Sequence, residues 1–198
     1  MKSFEEMKSI LKESLPKKRF IHSLAVCETA EKYAKIHNLD VNKAKIGGLL
    51  HDCGRQINTA KQLEKALELK LEIDFVEKNQ PILLHAKLGV YYAQKKYGIV
   101  DTEILSSIRK HSTGGINMTP IDMVVYLADL LEPARNFQGI DNLRMLAKQD
   151  LELAMIKAYE QSIEYLIDCG LLIHPDCVLG RNQLVAKRKN EVRKFKKA

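Results

Sequence analysis

The sequence predicts an all-α fold. Three observations carry this reading. Apolar residues recur at helical rather than alternating spacing along most of the chain. Helix start and stop signals bracket those apolar stretches. The 198 residues include no Trp and only 10 Gly and 5 Pro, few of the turn residues that a strand-rich fold uses.

The elements follow in order. Ser3-x-x-Glu6 reads as a capping box that opens a first helix. A second is expected over about 17–37, with Phe20, Leu24, Cys27 and Ala34 near one stripe. Asn42 is the expected cap of a third helix ending near His51, and Thr59 that of a fourth over TAKQLEKALELK. Pro81 opens a fifth that runs through Tyr97 and stops at Gly98, and Asp101 caps a sixth over TEILSSIRKH. Thr119-Pro120, a cap followed by Pro at the first helical position, starts a seventh through Leu131. Asp150 caps a long helix to Cys169, with Gly170 as its stop. After a turn at 174–176, a last helix runs into the C-terminal tail. The best strand candidate, LEIDF at 71–75, stands alone. No repeat, low-complexity segment or linker divides the chain, so one helical domain is expected over 1–198.

A chain of this length buries a sizeable core without disulfides or a structural metal. Its 45% hydrophobic and 29% charged residues are ordinary globular values. The net charge of +7 is concentrated at one end: Lys187, Arg188, Lys189, Arg193, Lys194, Lys196 and Lys197, against Glu191, place +6 of it in the last twelve residues. This tail, at about 187–198, reads as a solvated basic face rather than a nucleic-acid arm, since it holds one aromatic, Phe195, and no stacking platform. No apolar run reaches the ~18 residues of a membrane helix, so no membrane partner is expected. The N-terminal MKSFEEMKSILKES is amphipathic and carries acids, unlike a signal or transit peptide. Cys27, Cys53, Cys169 and Cys177 form no C-x-x-C pair, and free thiols in a reducing cytoplasm are expected.

Chemistry is signalled by the six histidines. His22 lies in RFIHSLAV, His51 and Asp52 in GGLLHDCGR, His85 in LLHAKLG, His111 in IRKHSTGG, and Asp129 in VVYLADLLEPAR. Each sits among apolar or small residues and so points toward an interior or a cleft. Any one of them alone is readily a hydrogen-bonded core residue. Buried separately, the imidazoles and carboxylates would each incur a desolvation cost; a shared divalent cation offsets these costs together, because imidazole nitrogen and carboxylate oxygen are its natural ligands. His51 and Asp52, at a helix end, can reach a common centre with His22 and Asp129 from neighbouring helices.

The order H…HD…D resembles the HD-domain metal-dependent phosphohydrolase superfamily, an all-α helical bundle in which these positions ligate a metal. The resemblance implies His22, His51, Asp52 and Asp129 as metal ligands. A bare His-Asp dipeptide carries no weight; all four positions in order on helices, over about 17–135, do. HDCGR, LLHAKLG, KHSTGG, YLADLLEPARNF and the closing LLIHPDCVLGRN are together similar to the YqeK-type bacterial symmetrical diadenosine tetraphosphatases. The YLAD-x-x-EP-x-R fit at 126–135 is the most specific piece, and Ala134 is its one departure, where Gly or Asn is expected. The resemblance implies hydrolysis of diadenosine tetraphosphate into two ADP, with iron as the metal. Mixed His/carboxylate ligation by itself leaves Fe, Mn, Zn and Co open.

Residue types suggest the remaining roles. A tetraphosphate is densely anionic, and Arg19, one turn before His22, Arg55, just after the HD pair, and Arg135, just after Asp129, offer forked donors to it. His85 and His111 have two readings: with Asp52 as bridge they hold a second ion beside the one expected, or they bind phosphate oxygens and protonate the leaving ADP. Asp52, His85 and His111 are therefore the candidate catalytic residues. Ser112 and the turn after it, and His174, Pro175 and Asp176 of the C-terminal loop, are the further nucleotide-binding candidates. The rivals are an HD phosphohydrolase acting on another nucleotide, and a nonenzymatic nucleic-acid or ribosome-associated module that uses the tail. The intact ligand set opposes the second. The sequence leaves a homodimer open.

Overall fold

The structure, a computed structural model, describes the backbone of residues 1–195 and side chains through Asn190. Among the described residues the chain forms eleven α-helices, two short 3-10 turns and no strand. The helices are α1 (Phe4–Ser14), α2 (Lys17–Ile36), α3 (Val41–Leu50), α4 (Thr59–Glu68), α5 (Phe75–Asn79), α6 (His85–Tyr97), α7 (Thr102–Lys110), α8 (Pro120–Leu131), α9 (Ile140–Gln149), α10 (Leu151–Asp168) and α11 (Pro175–Phe195). The 3-10 turns, at Cys53–Gln56 and Pro81–Leu84, precede α4 and α6. The fold is the expected all-α bundle.

Local chemistry explains most of the boundaries. The capping box at Ser3–Glu6 and the Thr119 cap form as the sequence predicts, the latter as a capping box completed by Asp122, and Asp101 and Asp150 cap α7 and α10. Two caps differ from expectation. Asp40, not Asn42, accepts from the Lys43 amide at the start of α3, and Asn58, not Thr59, accepts from the Ala60 amide at the start of α4. In each case the helix begins earlier, so the residue expected as cap already lies inside it. LEIDF is not a strand. Its Asp74 forms a capping box with Glu77 that opens α5, and the described residues hold no strand to pair the alternation of Leu71, Ile73 and Phe75. The expected fifth helix starts as a 3-10 turn and becomes α-helical only at His85. Helix α9 was not expected: it follows Gly139 in a left-handed conformation and has no side-chain cap. At the start of the basic tail, expected as a solvated face, the partly exposed Lys187 and Arg188 pair with acids of the α10 segment, Lys187 with Glu152 and Arg188 with Asp150 at 2.7 Å. Side chains beyond Asn190 lie outside the described residues.

The core has two main parts. One surrounds α8, whose Val124, Leu127 and Ala128 pack with Val26 and Ala30 of α2 and with Met155 and Tyr159 of α10. The other joins Met7 and Leu11 of α1 to Leu49 and Leu50 of α3, Tyr97 of α6 and Ile108 of α7. Helices α2 and α3 belong to both, and the end of α3 therefore emerges where the two parts meet. Gly48 favours this: a Cβ there would lie 3.0 Å from the Cys27 Cα and 3.1 Å from the Val26 carbonyl oxygen, so a side chain would push α3 a few tenths of an ångström away from α2. Gly54 does the same after the HD pair, where a Cβ would fall 2.1 Å from the His85 carbonyl oxygen and 2.6 Å from the Gly89 amide nitrogen.

Candidate metal centre

Three of the histidines stand at helix boundaries: His51 just after α3, His111 just after α7, and His85 where the second 3-10 turn becomes α6. They are oriented by one device. The Nδ1 of His51 meets the Gly48 carbonyl at 2.7 Å, that of His111 meets the Ile108 carbonyl at 2.7 Å, and that of His85 meets the Ile82 carbonyl. A carbonyl only accepts, so in all three rings Nδ1 carries the proton and donates. The carbonyls at helix ends are free to accept such bonds. Nε2 is left as the inward-facing nitrogen, the arrangement that fixes the tautomer of a metal-ligating imidazole.

His22, from the middle of α2, and Asp129, from α8, close the ring. His22 Nε2 lies 2.9 Å from Asp129 Oδ1, and His51 Nε2 lies 3.6 Å from Asp52 Oδ2 and 3.9 Å from Asp129 Oδ1. His85 and His111 approach Asp52 Oδ1 at 3.4 and 3.7 Å. The four imidazoles form an edge-to-face series, His22–His51–His111–His85, with centroid separations of 5.2, 4.9 and 4.9 Å. Six side chains separated by up to 107 positions thus converge on one point. Ligand atoms of His22, His51 and Asp129 lie within 4.8 Å of one another, as do those of His51, Asp52 and His111.

The electrostatics suit a cation. Despite the close approaches, the buried Nε2 atoms of His22 and His51 make no aligned hydrogen bond to any described residue. Two basic nitrogens aimed at carboxylates without a bond between them are what a divalent ion would satisfy. His85 Nε2 and His111 Nε2 are 2.9 Å apart. With both Nδ1 atoms already donating, a proton or a cation must lie between these two nitrogens. Burial holds His85 well below the usual imidazole range, reinforced by the neighbouring His111 and Arg55. For His51 burial acts in the same sense, but Asp52 and Asp129 outweigh it and the net shift is upward. Burial of Asp52 opposes its ionisation, and His51, His111 and His85 more than offset this, so its carboxyl stays well below the ordinary range. Asp129 is likewise lowered, with burial outweighed by His22, His51 and His111.

The three arginines are where the sequence placed them. Arg19 reaches Asp52 Oδ2 at 2.8 Å, Arg55 Nε reaches Asp52 Oδ1 at 2.6 Å, and Arg135 reaches Asp129 Oδ1 at 2.8 Å. Glu132, which the sequence reading did not single out, is a further member. It is buried, its Oε1 lies 3.3 Å from His22 Nδ1, and its Oε2 accepts from the Ala134 amide at 2.7 Å. The signal that could have found it is its place three residues after Asp129, on the same face at the end of α8.

A cavity of about 750 Å³ adjoins the cluster. Ser112, Tyr126 and Arg135 line the side toward the histidines, and Phe137, Tyr165 and His174 line other parts of the wall. Of the C-terminal loop candidates only His174 is on the wall. Pro175 is exposed as the first residue of α11, and Asp176 acts indirectly, its amide donating to His174 Nδ1 at 3.1 Å. The other ring nitrogen of His174 pairs with Asp74 at 2.8 Å, which ties the loop before α5 to the start of α11.

The family model described as the HD domain matches residues 19–134. The chain belongs to the HD-domain family. The matched segment takes in every histidine and carboxylate of the cluster; Arg135 and the cavity wall at Phe137, Tyr165 and His174 lie beyond it. Two curated relatives are named symmetrical bis(5'-nucleosyl)-tetraphosphatases. The one from Halalkalibacterium halodurans is 33% identical over 91% of this chain and 96% of its own length. The one from Bacillus subtilis is 33% identical over 92% and 97%. A solved structure of an HD superfamily hydrolase from Clostridium acetobutylicum, described as involved in NAD metabolism, has a TM-score of 0.90 and 35% identity. The match covers 94% of this chain and 99% of that one.

Proposed function

We propose that this HD-domain protein is a metal-dependent hydrolase that splits diadenosine tetraphosphate symmetrically into two ADP. The observation that carries the reading is the convergence of four imidazoles, two carboxylates and three arginines beside a cavity of nucleoside size. The relatives named symmetrical tetraphosphatases support the choice of substrate.

His22, His51, Asp52 and Asp129 would hold one divalent ion. When bound, it supplies the Lewis acidity that makes water a nucleophile near neutral pH and polarises the attacked phosphoryl group. The chain's own residues do the rest. Glu132 fixes the His22 ring so that Nε2 faces Asp129. Arg19, Arg55 and Arg135 neutralise the tetraphosphate and bear on charge that grows in the transition state. The His85–His111 pair holds a proton between its Nε2 atoms, within reach of Asp52, and delivers it to the leaving ADP; a second ion at this pair is the alternative. Ser112 and His174 contact the bound nucleotide from the cavity wall.

We assign iron to the centre on the strength of the family resemblance, and the His/carboxylate donor set accepts it. Helices α1 and α9–α11 pack on the segment matched by the family model, and we take the whole chain, 1–198, as one HD domain with a basic tail at about 187–198. Four unpaired cysteines and the lack of any described helix long and apolar enough to cross a membrane suit a cytoplasmic enzyme. A substrate panel tests the reading. Protein purified without oxygen and loaded with ferrous iron is expected to turn over diadenosine tetraphosphate far faster than nucleoside monophosphates, deoxynucleoside triphosphates or a guanosine alarmone. A preference for any of the latter replaces this substrate with that one.

A further inference from the structure

Two hollows of unequal size and character flank the centre. The 750 Å³ cavity meets it on the Asp129 side, through Arg135. A smaller hollow of about 210 Å³ meets it on the Asp52 side and is lined by Arg19, Arg55, Asn58, Thr59, Gln62 and their neighbours. The first has the rings of Phe137 and Tyr165 and the amide of Gln161 on its wall, the fittings of a nucleoside subsite. The second has less than a third of that volume and no aromatic ring on its wall.

What the smaller hollow does have is suited to phosphate. Arg19 uses Nη1 on Asp52, and Arg55 uses Nε. The rest of each guanidinium fork is left for a ligand. Residues of the first turn of α4, the positive end of its dipole, line the same space. Gln62 is buried against it, and its amide oxygen has no hydrogen-bond partner, an acceptor ready for a protonated terminal phosphate oxygen or a bound water.

We propose that the site grips only one of the two nucleosides. Its substrate class is then nucleoside 5'-tetraphosphates whose far end is either free or capped by any second nucleoside. This inference rests on the reading of the site as a tetraphosphate hydrolase and extends it. The nucleoside in the cavity and the two phosphates nearest it occupy the Asp129 side. The far pair of phosphates occupies the Arg19–Arg55 hollow, and a second nucleoside projects past the exposed start of α4 into solvent. The centre lies between the second and third phosphates. For adenosine 5'-tetraphosphate, water forms one new P–O bond there, the bridging P–O bond breaks, and the two protons of water end on the two new phosphate oxygens. The products are ADP and pyrophosphate.

The test compares diadenosine tetraphosphate, adenosine-uridine tetraphosphate and adenosine 5'-tetraphosphate on the metal-loaded full chain. All three are expected to yield ADP, with kcat/KM values within about tenfold of one another, because none loses a stacked base. The Tyr165→Ala and Phe137→Ala variants are expected to lower kcat/KM for diadenosine tetraphosphate and adenosine tetraphosphate by the same factor, on the order of tenfold. Normal cleavage of diadenosine tetraphosphate with a drop of roughly a hundredfold or more for adenosine tetraphosphate would mean that both nucleosides are held, and overturns the inference alone. Failure to release ADP from diadenosine tetraphosphate overturns the underlying functional reading as well.

Discussion

Replacing Glu132 tests how the centre is built. Its carboxylate is buried and can only accept, so it fixes the proton of His22 on Nδ1 and leaves the Nε2 lone pair facing Asp129. Removing such a partner of a ligating histidine typically weakens metal binding ten- to a hundredfold, or about 1.4 to 2.7 kcal/mol. Glu132→Gln keeps the shape and an acceptor oxygen but loses the charge. A charge-assisted hydrogen bond is about twice as strong as a neutral one, so the expected loss is at the lower end, about tenfold. Glu132→Ala removes the acceptor and is expected near a hundredfold. It also orphans the Ala134 amide, which accounts for a further loss of roughly 1–3 kcal/mol in folding stability. Metal titration of chelator-treated protein by calorimetry measures the affinities, and thermal melts of the metal-free forms isolate the stability effect. If Glu132→Gln binds metal within about twofold of the parent (a difference of ~0.4 kcal/mol), the orienting role assigned to Glu132 is wrong.

Three further outcomes are expected. Gly54→Ala places a Cβ against the backbone of His85 and Gly89, and overpacking of this kind costs about 1–3 kcal/mol; in a chain of this size each kcal/mol lowers Tm by roughly 2–4 °C, and an unchanged melt would show that the contact relaxes freely. The Asp74 carboxyl is held at about 2, because the Glu77 amide and His174 outweigh the burial that opposes its ionisation. Its folded-state pKa is depressed, so the stabilisation is present above the ordinary carboxylate range and is lost as pH falls from about 4 toward 2; Asp74→Asn should be less stable than the parent in urea at pH 6, with the gap closing at pH 3, and equal stability at pH 6 removes the pair's assigned role. Chelation is expected to abolish hydrolysis while leaving the helical circular dichroism intact, since neither main core part draws on the centre; unfolding on chelation would make the metal structural.

What the sequence made legible followed from how local each signal is. Ser3, Asp101, Thr119 and Asp150 cap helices within three residues of themselves, and a reader needs nothing else to see them. Helix α9 was invisible because its start is a left-handed glycine with no capping side chain. LEIDF misled because three alternating apolar residues imitate a strand, while the Asp74–Glu77 box that governs the segment sits at its end. In the site, the H…HD…D order and the adjacent arginines could be read along the chain. The carbonyl device that aims three Nε2 atoms inward is local, each Nδ1 donating three residues back, but it shows only once the helix ends are known. The 2.9 Å approach of His85 to His111 and the second hollow beside Asp52 depend on how distant helices pack, and no local pattern encodes them.

The central claim is a single cut at the middle of a four-phosphate chain by a metal-loaded centre. The stoichiometry of products from diadenosine tetraphosphate, followed by chromatography with the iron-loaded protein, tests it most directly. Two ADP are expected for each substrate consumed, with no AMP or ATP at any time. AMP and ATP in equal amounts, or no turnover with any of several divalent metals, would contradict it.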